Sequence, residues 1–195
     1  MSDVRPVDNR GVTLVYVLLG ASALIVLWAI LAYNGLVKAR NKVDEAWSGV
    51  DVQLKRRHDL VPNLVETVKG YAAHERETLQ SVTDARENAA AAGGPDAAER
   101  AEAKLTSALG AINALAEAYP DLRAADNFQR LQAELAETED EIQAARRIYN
   151  ANVQHYNTSI QVFPTLLLAG PLSFSARRLF EIEVPTERAV PQVAF

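Results

Sequence analysis

Residues 11 to 33 read GVTLVYVLLGASALIVLWAILAY, without one charged side chain. As an α-helix this run is roughly 34 Å long, enough to cross a hydrocarbon core of about 30 Å. Tyr16, Trp28 and Tyr33 fall towards its two ends, where aromatic rings favour the water–lipid boundary. A buried helix in a soluble protein would need a core on all its faces. A cleaved signal peptide fits poorly, because the run is too long, the preceding residues are not strongly basic and no good A-x-A site comes after it. We therefore read residues 11–33 as an uncleaved transmembrane helix after a short tail, 1–10. Arg5 and Arg10 precede the run, whereas Lys38, Arg40 and Lys42 succeed it, with Lys55, Arg56 and Arg57 further out. That excess predicts an outside N-terminus and a cytoplasmic remainder.

Composition narrows the possibilities for the chain beyond the span. The 195 residues include 33 alanines and no cysteine, and the formal net charge is −5. Alanine with abundant Glu, Lys, Leu and Arg favours helix. The absence of thiols excludes disulfides, thiolate metal sites, a catalytic cysteine and thiol-linked lipid anchors. The mild acidity argues against a nucleic-acid partner.

Apolar residues beyond the span recur at Val43, Trp47, Val50, Leu54, Val61, Leu64, Val68 and Tyr71, steps of three and four that define a heptad seam of the coiled-coil type. Arg57 occupies a seam position. Either its stem packs while its head snorkels out, the reading preferred here, or it is buried against a carboxylate of another helix. Pro62 removes the hydrogen bond to the His58 carbonyl, which predicts a kink or break. Helix is expected to resume and run to AAAAGGPD, where Gly93–Gly94–Pro95 is a stop. A second helix comes next, with Asp96 as its expected cap and a stripe of Leu105, Ala108, Ile112, Leu115 and Tyr119. Pro120 ends it. The third carries Phe128, Leu131, Leu135, Ile142, Tyr149, Val153, Tyr156 and Ile160, with Asp126 as a possible cap and polar Thr138 and Asn152 in the same seam. Residues 34–162 thus form the expected bundle. Residues 163–195, rich in proline, are expected to be irregular. The fold class is all-α, with an N-terminal transmembrane helix followed by an antiparallel bundle of three to four long helices.

Helix lengths carry a further expectation. The first helix beyond the span would be roughly 70 Å, the second roughly 36 Å and the third roughly 48 Å. The short second helix packs on the distal part of the first, which leaves the seam Val43, Trp47, Val50 and Leu54 near the membrane short of partners. An exposed seam of that kind needs a cover. The cover is either the chain's own C-terminal segment or another copy of the chain, and we take self-association as the reading.

No phosphate loop, nucleophile elbow or zinc-protease motif is present. His58 and His74 are 16 residues apart, too far along a straight helix to share an ion. The carboxylates Glu137, Glu139, Asp140 and Glu141 are read as a solvated face, with a docking patch for a basic partner as the alternative. No catalytic residue, metal site or cofactor is expected. Lys55–Arg57 is too short a basic run for nucleic acid.

Two long stretches carry a resemblance. YNGLVKARNKVDEAWSGVDVQLKRRHDLVPNLVETVKGYAAHERETLQSVTDAR and NFQRLQAELAETEDEIQAARRIYNANVQHYNTSIQVFP resemble the two hallmark blocks of the LemA family. AEAYPDLRA between them and the ending PQVAF are similar to it as well. His58, where the family more often has alanine, and Asp140 with Gln143 are small departures. The resemblance implies a membrane-anchored antiparallel bundle in the bacterial cell (inner) membrane, with some relatives associated with magnetosome membranes. It implies no catalytic residue. The function expected is a non-enzymatic, self-assembling membrane scaffold whose partners are the lipid bilayer and further copies of the chain. The alternative is an adaptor for a protein partner of unknown identity, suggested by the acidic face and the apolar strip Leu166, Leu167, Leu168 and Phe174.

Overall fold

A computed structural model of the chain describes residues 9–181, with side chains from residue 11. The described residues are helical throughout apart from turns and the last dozen residues, and no strand occurs among them. Helix α1 spans Asn9–Lys69, 61 residues without interruption. Helix α2 follows at Arg76–Ala90, α3 at Pro95–Ala118, the short α4 at Pro120–Ala124, α5 at Asp126–Gln161 and α6 at Leu166–Ala169. The expected class is what the chain adopts. The first eight residues and those from 182 onward, including the terminal PQVAF, lie outside the described residues.

Residues 11 to 27 of α1 are exposed on every face. The same apolar side chains that would drive aggregation in water are at home against lipid, and α1 is long and apolar enough here to cross a membrane. Burial begins at Leu36. From that point α1 carries its seam into a protein core.

The seam beyond the span does not run as one long helix. It ends at Lys69, and Gly70–Glu75 reverse the chain. The turn is closed by the amide of Ala72 donating to the Val68 carbonyl at 2.8 Å and that of Glu75 to Ala72 at 3.1 Å. Helix α2 then descends along α1. The expected helix through Gly70 is corrected to a hairpin, because Ala72 and Leu79 find burial against α1 that a straight continuation would deny them. Gly94, in the left-handed region at φ 79°, turns the chain into α3, as the glycine pair predicts. Pro95 occupies the first turn of α3 and Gly94 is its cap; the Asp96 side chain caps nothing. Asp126 likewise stands in the first turn of α5, after Ala125 as cap. Both carboxylates still face the positive end of a helix.

The result is four helices, up, down, up and down, with α5 long enough to pair with α1 from the distal tip to the membrane. Two apolar cores are stacked along this axis. The distal core joins Val61, Leu64, Val68, Val82, Leu105, Ile112, Leu122 and Phe128. The membrane-proximal core joins Leu36, Val43, Val50, Leu54, Ile142, Val153, Tyr156, Phe174 and Phe180.

Candidate functional site

Between the two cores lies a layer of buried charge. Arg57, His58, Glu102 and Thr138 are the buried polar side chains there. The guanidinium of Arg57 donates from Nη1 to Glu102 Oε2 at 3.2 Å and from Nη2 to Thr106 Oγ1 at 2.9 Å, with Glu139 Oε2 at 3.5 Å. His58 Nε2 lies 2.5 Å from the other oxygen of Glu102. The reading of Arg57 as a snorkelling side chain is corrected: its head is inside, paired with a carboxylate of another helix. Glu102 stands on the inward stripe of α3 with Ala98, Leu105, Leu109 and Ile112 and is fully buried. An unpaired charge there would be prohibitive, and the pairing removes most of that penalty. Such a layer adds little net stability over well-packed apolar residues of similar volume.

Pro62 sits one turn beyond this layer. Its ring leaves the His58 carbonyl without a helical donor, yet α1 stays helical to Lys69. Arg86 of α2 donates from Nε to that carbonyl at 3.2 Å. The expected break therefore does not occur, because the lost bond is replaced from the neighbouring helix.

The seam Val43, Trp47, Val50 and Leu54 lies in the membrane-proximal core. Val43, Val50 and Leu54 are buried and Trp47 is half-buried, all within one chain. Helix α5 covers one side. The C-terminal segment covers the other, in the lane that α2 and α3 leave empty below their turn. Trp47 stacks edge-to-face on Tyr149 of α5 (centroids 5.6 Å apart) and on Phe180 (5.3 Å). The premise of an uncovered seam is corrected, since residues 174–180 fold back and fill it.

A ladder of side chains holds this segment. Asn150 donates from Nδ2 to the Phe180 carbonyl at 3.1 Å, and its Oδ1 accepts from the Phe180 amide at 2.9 Å. Asn157 does the same to Arg177, at 2.7 and 2.8 Å. The hydroxyls of Tyr149 and Tyr156 donate to the carbonyls of Arg178 (3.1 Å) and Ser175 (3.0 Å). The dipeptide Tyr–Asn thus recurs seven residues apart and meets backbone three residues apart. Seven helical residues advance about 10.5 Å and three extended ones about 10 Å, so the two registers agree. The repeat is visible in RIYNANVQHYN, and it was the available signal for a helix that grips an extended chain. Burial pushes the Tyr149 phenol above its ordinary value; the Arg177 guanidinium opposes this, and Asp96 and Asp44 add to it. Arg177 and Arg178 also lie 3.4 Å from Asp44 and 3.6 Å from Asp96.

The other expected features are dispersed. Glu137 bonds Arg56 at 3.1 Å and Glu139 faces Arg57, which leaves Asp140 and Glu141 pointing outward. Of the apolar strip, Phe174 is buried while Leu166 and Leu167 are exposed. Among the described residues no group of three or more His, Asp or Glu is placed to hold a metal ion.

A membrane-anchored four-helix bundle with a stapled C-terminal segment is the class these features define. The LemA family model matches residues 46–195, and the chain belongs to the LemA family. It is 30% identical over 163 residues to Protein LemA of Metamycoplasma hominis, covering 78% of this chain and 73% of that one. It is 26% identical over 178 residues to Magnetosome protein MamQ 2 of Paramagnetospirillum magneticum. To Magnetosome protein MamQ of Magnetospirillum gryphiswaldense it is 27% identical over 177 residues. The matches cover 78% and 77% of this chain and 65% of each MamQ protein, so the chain spans just under two thirds of their length.

Proposed function

We propose that the protein is a non-enzymatic scaffold of the bacterial inner membrane, with its N-terminus outside and its bundle in the cytoplasm. The observation that supports this best is the continuity of α1. One helix of 61 residues, roughly 90 Å long, forms both the apolar span and the central strut of the bundle. There is no linker between anchor and bundle, so the bundle moves as one rigid body with the span. The buried charges favour the same reading, being absorbed in helix-to-helix pairing rather than converging on an opening. The kinship with proteins named for the magnetosome supports a role in organising a membrane. The cations Lys38, Arg40 and Lys42 after the span support the orientation.

Self-assembly needs a route other than the closed seam. Exchange of residues 174–180 between neighbouring copies supplies one, since every contact of the ladder can form equally well in trans. Crosslinking of full-length protein in native membranes tests this. Higher-order species are expected, and a strictly monomeric protein at all concentrations overturns the self-assembly reading.

The second reading is an adaptor for a partner with a basic surface, favoured by the outward Asp140 and Glu141. Affinity capture on the full-length protein tests it, with capture of the protein alone counting against it.

A further inference from the structure

The connection between α5 and the clasped segment is apolar where water would be expected to favour polar residues. From Gln161 to Ala176 the chain has no charged residue. Phe163 is 79% exposed, Leu166 51%, Leu167 61% and Leu172 44%. This turn has a defined height on the molecule. Phe174 lies edge-on to the ring of Tyr33, centroids 6.0 Å apart, and Ala169 shares a core with Leu36 and Ala39. The turn therefore stands beside the residues at which the apolar span of α1 ends.

Two properties fit this surface to a bilayer. The first is backbone satisfaction, which a segment entering an apolar phase requires. The amides of Leu166, Leu167, Leu168 and Ala169 donate to the carbonyls of Val162, Pro164, Thr165 and Thr165, and those of Leu172, Ser173 and Phe174 to Leu168, Gly170 and Ala169. The Thr165 hydroxyl, 2.5 Å from the Ser159 carbonyl, is also used internally. The second is charge placement. Lys38, Arg40 and Lys42 come after the span on α1, and Arg177 and Arg178 come after the turn. Arg40 lies 5.5 Å from the centre of the Phe174 ring. Cations thus begin where the apolar surface of both segments stops, the order of acyl chain and anionic headgroup.

We propose that residues 162–172 form a second membrane contact, an interfacial wedge that places Phe163, Leu166, Leu167 and Leu172 in the leaflet from which α1 emerges. The proposal rests on the reading of residues 11–33 as the anchor. The chain has no native cysteine, so single nitroxide labels can be placed without background. Full-length protein labelled at Leu167→Cys, at Leu24→Cys in the span, or at Val52→Cys is reconstituted into vesicles of phosphatidylglycerol and phosphatidylethanolamine. Collision with oxygen and with a water-soluble nickel chelate is then measured. Val52 is exposed and lies roughly 28 Å along α1 beyond Tyr33, so its label reports water. The expected result is preference for oxygen at Leu24 and Leu167 and for nickel at Val52. Preference for nickel at Leu167 with oxygen at Leu24 overturns the wedge and leaves the anchor standing. Preference for nickel at both positions overturns the anchor and the wedge with it. Low collision with both reagents at Leu167 means a protein covers the turn, and also overturns the wedge. Leu166→Cys repeats the measurement should the Leu167 variant lose its helical circular dichroism.

Discussion

The side chain of Arg86 donates to the backbone carbonyl of His58 at 3.2 Å, occupying the acceptor that Pro62 leaves vacant. A proline inside a helix is thereby tolerated through a bond supplied from a second helix. This pairing makes Arg86 and Pro62 energetically dependent on each other although they lie on different helices.

Replacing Arg86 with Met strands the His58 carbonyl and should cost about 1–3 kcal/mol. In a Pro62→Ala background the helical amide returns, and the same replacement should cost clearly less. A double-mutant cycle on urea denaturation midpoints measures the coupling. Equal costs in both backgrounds would refute the dependence.

Glu102 meets two side chains at once, Arg57 through Oε2 and His58 through Oε1. Glu102→Ala takes the nearer carboxylate from Arg57, which keeps Glu139 at 3.5 Å, and removes the partner of His58. It should destabilise by about 3 kcal/mol, the lower end for a broken buried pair. Replacing Arg57, His58 and Glu102 together with apolar residues of similar volume should restore most of that stability. Chemical denaturation of both variants is the check, and a triple variant as weak as the single one would mean that packing, not charge, is at stake.

Trp47→Ala removes a half-buried ring held between Tyr149 and Phe180, at a cost of about 2–3 kcal/mol, below the fully buried range. The melting temperature should fall. Size by light scattering should not change for a chain that clasps its own segment, whereas an assembly built by exchange of residues 174–180, with Phe180 supplied by a neighbouring copy, should become smaller. A smaller assembly with an unaltered melting temperature would instead place the ring between copies.

Asn157→Ala removes both bonds to Arg177, which should weaken the clasp by roughly 1–2 kcal/mol and raise the open population about 5–30-fold. Arg177 and Arg178 are exposed trypsin sites, so cleavage there should accelerate by a similar factor. An unchanged cleavage rate would show that the ladder does not hold the segment.

The phenol of Tyr149 is raised above its ordinary value of 10.0 by burial. A raised value in the folded state means that this group's contribution is fully present below about pH 10 and is lost as pH climbs through the folded value. At pH 8, Tyr149→Phe should be less stable by about 1 kcal/mol for the lost bond to Arg178. The gap to the native protein should narrow above pH 10. Melting temperatures across pH 8–11 test this, with a constant gap as the contrary result.

Much of the architecture was legible because heptad spacing reports burial directly. The stripe from Phe128 to Ile160 needed no partner to be recognised. Where the reading of α1 failed, the deciding groups lay elsewhere in the chain. Whether Arg57 points in or out depends on Glu102, and whether Pro62 breaks the helix depends on Arg86. Helix lengths showed correctly that the membrane-proximal seam needed a cover, but not that the cover was the chain's own tail. The Tyr–Asn repeat carried that information in a form that apolar periodicity does not score. The reversal at Gly70 was obscured because the sequence around it, VKGYAAHE, keeps helix-compatible spacing on either side.

The unbroken course of α1 gives the bundle a mechanical property. From Tyr33 to Lys69 the helix extends roughly 54 Å from the membrane boundary. A tilt of the span of about 20°, ordinary for such helices, then sweeps the distal tip sideways by some 18 Å. Span tilt responds to bilayer thickness, so the molecule is a lever whose short arm is set by lipid. A change of a few ångströms in the hydrocarbon layer is returned at the far end as a displacement the size of a helix diameter.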